Sequence, residues 1–168
     1  MKILYLFFYF FLFNVIAIDL NFECGGTFRI DKEFLLSDGS KYSQFSNYGT
    51  CSGELGIYNA SYCFGTFKTK DNIIIDSEIL CENTFSDNEK AWLKARRIPN
   101  TELDSSLGEM IFIDATGKWK TLIGTKCKYG IKFINLPEYS SSLSNHKCDI
   151  TEKQKKILES KSSVNSLE

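Results

Sequence analysis

Apolar and polar residues alternate along several stretches of this chain, with the period of two that marks half-buried strands. Over residues 21–30 (NFECGGTFRI) an aromatic, a cysteine and a glycine pair lead into such an alternation. Asp31 can then cap a short helix through Leu36, which Ser37-Asp38-Gly39-Ser40 ends with glycine at the expected place. Residues 40–53 are rich in Ser, Tyr and Gly without a period, and read as loop. Residues 55–59 and 62–69 alternate on either side of Ala60-Ser61, a hairpin-like pattern. Ile73, Ile74 and Ile75 open a segment to Cys81 that predicts a central strand, because β-branched residues pack well on a pleated surface.

Further along, Ser86 and Glu89 have the spacing of a capping box for a helix through Ala95. The overlapping residues 92–98 also alternate as a strand would; both readings stay open, and Pro99 ends either one. Residues 110–114 and 119–125 flank Ala115-Thr116-Gly117-Lys118 and form the clearest hairpin, with Gly117 supplying a positive φ. Residues 129–134 predict one more strand, 140–145 a loop, and 148–150 a short final strand. Thr151 and Gln154 are spaced to cap a helical turn or two in a charged, Ser-rich tail over 151–168. One short helix followed by five or six largely antiparallel strands makes an α+β fold.

The first 17 residues (MKILYLFFYFFLFNVIA) join one Lys to an unbroken apolar run and end with Val15 and Ala17 at the −3 and −1 positions of a cleavage site. That is the pattern of a secretory signal peptide, and the run is shorter than a membrane span requires. A secreted protein with no membrane segment after cleavage follows, with one domain over 18–150 ahead of the tail. All six cysteines lie beyond the leader: Cys24, Cys51, Cys63, Cys81, Cys127 and Cys148. An even number in a small secreted chain argues for disulfides, in any of 15 pairings. Zinc ligation fails on spacing, since there is no Cys-x-x-Cys and His146 is the only histidine. Asn59-Ala60-Ser61 is the one glycosylation sequon, which places Asn59 on an exposed loop if it is used.

Charge narrows the functions. With 20 Lys+Arg against 21 Asp+Glu in 168 residues, the chain is no globally basic nucleic-acid wrapper. Its one basic cluster is Lys90, Lys94, Arg96 and Arg97 around Trp92, and a second stretch runs from Lys118 to Lys132 around Trp119. Positive stripes with interleaved aromatics hold RNA by phosphate contact and stacking, although charge runs more often form a solvated face. Nothing in the sequence calls for a cofactor or a metal. A nucleophilic site would have to use His146, which sits in a polar stretch and reads as a solvated position.

The landmarks at the two ends resemble the ribonuclease-like secreted effectors of powdery mildew fungi, related to guanyl-specific fungal ribonucleases. The matching residues are Phe22-Glu23-Cys24-Gly25-Gly26-Thr27 near the start, Pro99, the hairpin MIFIDATGKWKTLIGTK, and Asn145-His146-Lys147-Cys148. The resemblance implies a Cys24–Cys148 disulfide and a short N-terminal helix packed on a curved antiparallel sheet. It also implies lost catalysis: Met110 stands where active members keep an Arg, and Thr125 or Lys126 where they keep a His. The expected function is a catalytically inactive, monomeric effector that binds a host protein or RNA, with Trp92, Lys94, Arg96, Arg97 and Trp119 as its surface. Two alternatives stand beside it: a diverged ribonuclease using His146 with a carboxylate, and an unrelated disulfide-stabilised extracellular binding domain.

Overall fold

A computed structural model describes residues 17–135 and 140–160. The expected leader lies outside these residues apart from Ala17, as do residues 161–168 of the tail. Eight antiparallel strands follow one another: β1 (Ala17–Leu35), β2 (Lys41–Gly53), β3 (Ile57–Lys70), β4 (Ile73–Phe85), β5 (Lys90–Arg97), β6 (Ser105–Ala115), β7 (Lys126–Asn135) and β8 (Ser140–Thr151). Each pairs with the next, and β1 also pairs with β8 from Ala17 opposite Thr151 to Phe28 opposite Ser140. The sheet therefore closes into a barrel, and a short helix, α1 (Glu152–Glu159), ends the described chain. This corrects the α+β expectation of a helix packed on a curved sheet. Closure pairs both sheet edges and turns one face inward, so no helix is needed to bury it.

The corrections within the chain share a cause. The helix expected over 31–36 is the end of β1, paired with β2 as far as Leu35 opposite Lys41. A helix that short must nucleate with few bonds to repay it, whereas the strand gains a full ladder. Asp31 accepts from Arg29 Nε (2.8 Å) and Ser46 Oγ (3.2 Å) instead of capping. The loops expected over 40–53 and 140–145 are strand β2 and the first half of β8, and the hairpin expected over 55–69 is the single strand β3. Of the two readings left open near Trp92, the strand holds as β5. Gly117 does take a positive φ of 51°, but residues 117–122 wind into a 3-10 helix, not the second arm of a hairpin.

One end of the barrel is plugged. Leu20, Phe22, Ile57, Phe85, Phe112 and Ile150 fill it, and the 3-10 helix Gly117–Leu122 folds beneath them with Trp119 and Leu122 buried. The Trp119 ring stacks on Phe85 with centroids 3.4 Å apart. The capping box at Thr151 and Gln154 forms as the spacing predicts and starts α1, which buries Leu158 against the plug. Gln154 Nε2 also donates to Thr121 O (2.8 Å) and Thr125 Oγ1 (3.2 Å), which fastens α1 to the 3-10 helix.

Three disulfides, Cys24–Cys51, Cys63–Cys81 and Cys127–Cys148, each join directly opposite residues of neighbouring strands. The Cys24–Cys148 pair that the resemblance implied is absent. In the β1–β8 register Cys148 faces Leu20, four residues before Cys24. That offset is on the order of 13 Å along the strand, beyond the reach of a disulfide. Among the described residues no helix is long and apolar enough to cross a membrane.

Candidate ligand cavity inside the barrel

The residues expected to form an RNA or partner surface do not share one. Trp92, Lys94 and Arg96 lie on the outer face of β5, but acids on the adjoining strands meet them. Trp92 Nε1 donates to Glu82 Oε2 (2.9 Å), Lys94 pairs with Glu78, and Arg96 Nη2 with Glu109 (3.1 Å). Arg97 points into the barrel and Trp119 into the plug, at 5% and 1% exposure. Parity carried the signal for Arg97, which shares its inward face with Ala91, Leu93 and Ala95. Asn59 is likewise corrected: it is a buried, inward residue of β3, not an exposed loop position.

Above the plug the interior narrows to a cavity of about 100 Å³. Toward the far end it meets four phenylalanines, with Phe28 at 5.2 Å from Phe45, 6.3 Å from Phe67 and 4.7 Å from Phe133 between ring centroids. Ile79, Met110 and Ile131 add to its apolar wall. Polar side chains enter the lining from β2, β3, β4, β5, β7 and β8, and its titratable groups are Arg97, Tyr129 and His146.

Register explains how these polar groups meet. Arg97 lies opposite Gly108, Gly108 opposite Tyr129, and Tyr129 opposite His146, so one row crosses four strands. At Gly108 a Cβ would fall 2.1 Å from Tyr129 Cζ and 2.4 Å from its hydroxyl. The Tyr129 side chain therefore lies across the backbone of β6, toward the strand that carries Arg97. Only glycine leaves room for that.

Among the described residues none of the three titratable groups in this row forms an ion pair, although Asp104 acts on Arg97 through its field. Arg97 Nη2 donates to Leu103 O (2.7 Å) and its guanidinium sits 5.1 Å from the Phe133 ring centre. Among the described residues no carboxylate lies within ion-pair distance of it. Burial pulls its pKa down, against the fields of Tyr129 and Asp104. The Tyr129 hydroxyl is buried without a hydrogen-bond partner, and burial pushes its pKa up to about 12, opposed by Arg97. His146 Nε2 and Ser144 Oγ are hydrogen-bonded at 2.8 Å, and burial takes the imidazole down to about 4. At neutral pH the row therefore holds one positive charge, a neutral phenol and a neutral imidazole.

Tyr129 and His146 were missed as a site for a physical reason. His146 reads as solvated because its sequence neighbours are polar, yet those neighbours alternate between the two barrel faces. The signal was again parity: His146 is two residues from Cys148, which is buried. Comparison with protein-family models, with curated proteins and with solved structures found no match to this chain.

Proposed function

We propose that this chain is an extracellular binding protein that holds a small, largely apolar ligand inside its barrel. The observation that carries the reading is the buried cavity, whose apolar wall is interrupted by a few convergent polar groups, one of them the unpartnered Tyr129 hydroxyl. Binding sites commonly combine those features, and an eight-stranded barrel is just wide enough for one small ligand. A volume of about 100 Å³ suits a few heavy atoms, and longer ligands require the four phenylalanines to move. Three disulfides and the leader pattern support an oxidising, extracellular setting. This reading develops the disulfide-stabilised binding domain that the sequence left as an alternative.

The chain has two methionines, Met1 and Met110, and Met110 lines the cavity. A methyl-labelled sample therefore reports on ligand entry. Titration with hexan-1-ol or hexanoate is expected to shift the Met110 methyl signal saturably, and Ala95→Leu, which fills the cavity, to abolish the shift. No saturable shift with either probe overturns the proposal.

A second reading, contact with a host protein or RNA on the outer face, keeps Lys126, Lys128 and Lys132. These point outward from β7 with no carboxylate in ion-pair range among the described residues. Retention of RNA that is lost on replacing the three lysines with serine would support it.

A further inference from the structure

The cavity has a charge to satisfy. Its lining carries one permanent ion, Arg97, and no acidic side chain among the described residues. A guanidinium has five N–H donors, and among the described residues only one bond from this group is formed, to Leu103 O. A buried charge without an ion pair is expensive, and the described carboxylate whose field reaches Arg97, that of Asp104, forms no ion pair with it. Beside it the Tyr129 hydroxyl, 6% exposed as a residue, is also without a partner. The remaining guanidinium donors and the Tyr129 hydroxyl, on the two strands that flank Gly108, are the complement of an acceptor that the described residues do not supply.

We infer that the ligand is an apolar carboxylate whose headgroup lies between the Arg97 guanidinium and the Tyr129 hydroxyl. This rests on the proposed ligand-binding reading and specifies it. Charge selects the headgroup: one carboxylate balances one guanidinium, whereas a phosphate dianion brings a second charge that no described cavity group meets. A planar carboxylate also accepts two parallel N–H bonds from the guanidinium fork while its second lone pairs face the phenol. The tail runs toward Phe28, Phe45, Phe67 and Phe133, which already form the apolar end of the cavity. Tyr129 can donate only because Gly108 lets its ring lie across β6.

The test compares acids with alcohols of equal chain length: butanoate, hexanoate and octanoate against the matching primary alcohols, at neutral pH with the disulfide-bonded chain. The acids are expected to bind about tenfold or more tightly than their alcohols, the size of a charge-assisted hydrogen bond. Arg97→Met should erase that preference while alcohol binding persists, and because it also removes the Nη2 bond to Leu103 O its unfolding midpoint is expected to fall modestly. Tyr129→Phe takes away a hydroxyl that bonds nothing in the protein, so it should fold normally and weaken the acids alone by about threefold or more. Should Arg97→Met fail to fold, the acid-to-alcohol comparison and Tyr129→Phe still decide. Equal affinity for acid and alcohol overturns the carboxylate inference and leaves the cavity reading standing. Binding of neither probe overturns the cavity reading itself.

Discussion

At the scale of single residues, function and stability meet in the row Arg97, Gly108, Tyr129 and His146. His146 gives this row a measurable pH signature. Burial holds its imidazole at about 4 in the folded protein, against 6.5 for an unperturbed histidine. The unfolded chain therefore takes up a proton first as pH falls, and stability that is complete above about pH 6.5 is lost as pH drops toward 4. The loss is expected to reach up to about 3 kcal/mol. Glu33, Glu78 and Glu82 are held below their usual 4.5 by lysine partners, so their contribution is lost only at lower pH. Urea midpoints at pH 7 and pH 4.5 should fall apart in the natural chain and converge in His146→Phe. A slope that survives this substitution would mean that His146 is not buried neutral.

At the scale of elements, the barrel is four hairpins in succession, and disulfides staple three of them. Each bond joins opposite residues, with Cα atoms 4.0 to 4.1 Å apart and 18 to 27 residues between them in sequence. In the chain-entropy account, loops of that size are worth about 3 kcal/mol each. Peptide mapping of the oxidised protein should recover Cys24–Cys51, Cys63–Cys81 and Cys127–Cys148. The double change Cys127→Ser with Cys148→Ser should lower unfolding free energy by about 3 kcal/mol, with loss of the β7–β8 staple that lies closest to the plug. Recovery of Cys24 linked to Cys148 would contradict the register of β1 on β8.

At the scale of the whole molecule, closure decides what is inside. Asn59 carries a sequon, but β3 turns it into the barrel, where its Oδ1 is buried without a partner. A glycan there has no path out. The folded protein, expressed through a secretory host pathway, is expected to have the mass of its unmodified chain, unchanged by glycosidase, and a glycosylated Asn59 would be incompatible with this barrel. Closure also separates two neighbouring arginines. Arg96 pairs with Glu109 outside while Arg97 lies inside against the Phe133 ring, so the same residue type serves the solvated wall and the cavity.

Signals between near neighbours were legible in the sequence. The isoleucines of β4, the alternation of β6 and β7, the positive φ at Gly117 and the capping box of Thr151 with Gln154 all depend on contacts a few residues apart. β2 and the first half of β8 escaped because most of their inward residues are small or polar, Ser43, Asn47 and Gly49 beside Phe45 on one and Ser142, Ser144 and His146 on the other. Polar residues on the inner face of a barrel erase the apolar period on which strand recognition relies. The sequence by itself determined strand content at its apolar stretches, the even set of cysteines and the charged outer face. Tertiary structure alone decided the closure of β1 on β8, the disulfide partners and the meeting of Arg97 with Tyr129, because each depends on the register between strands and not on residues a few positions apart. Register is settled by the whole set of ladders at once, and no local stretch of residues encodes it.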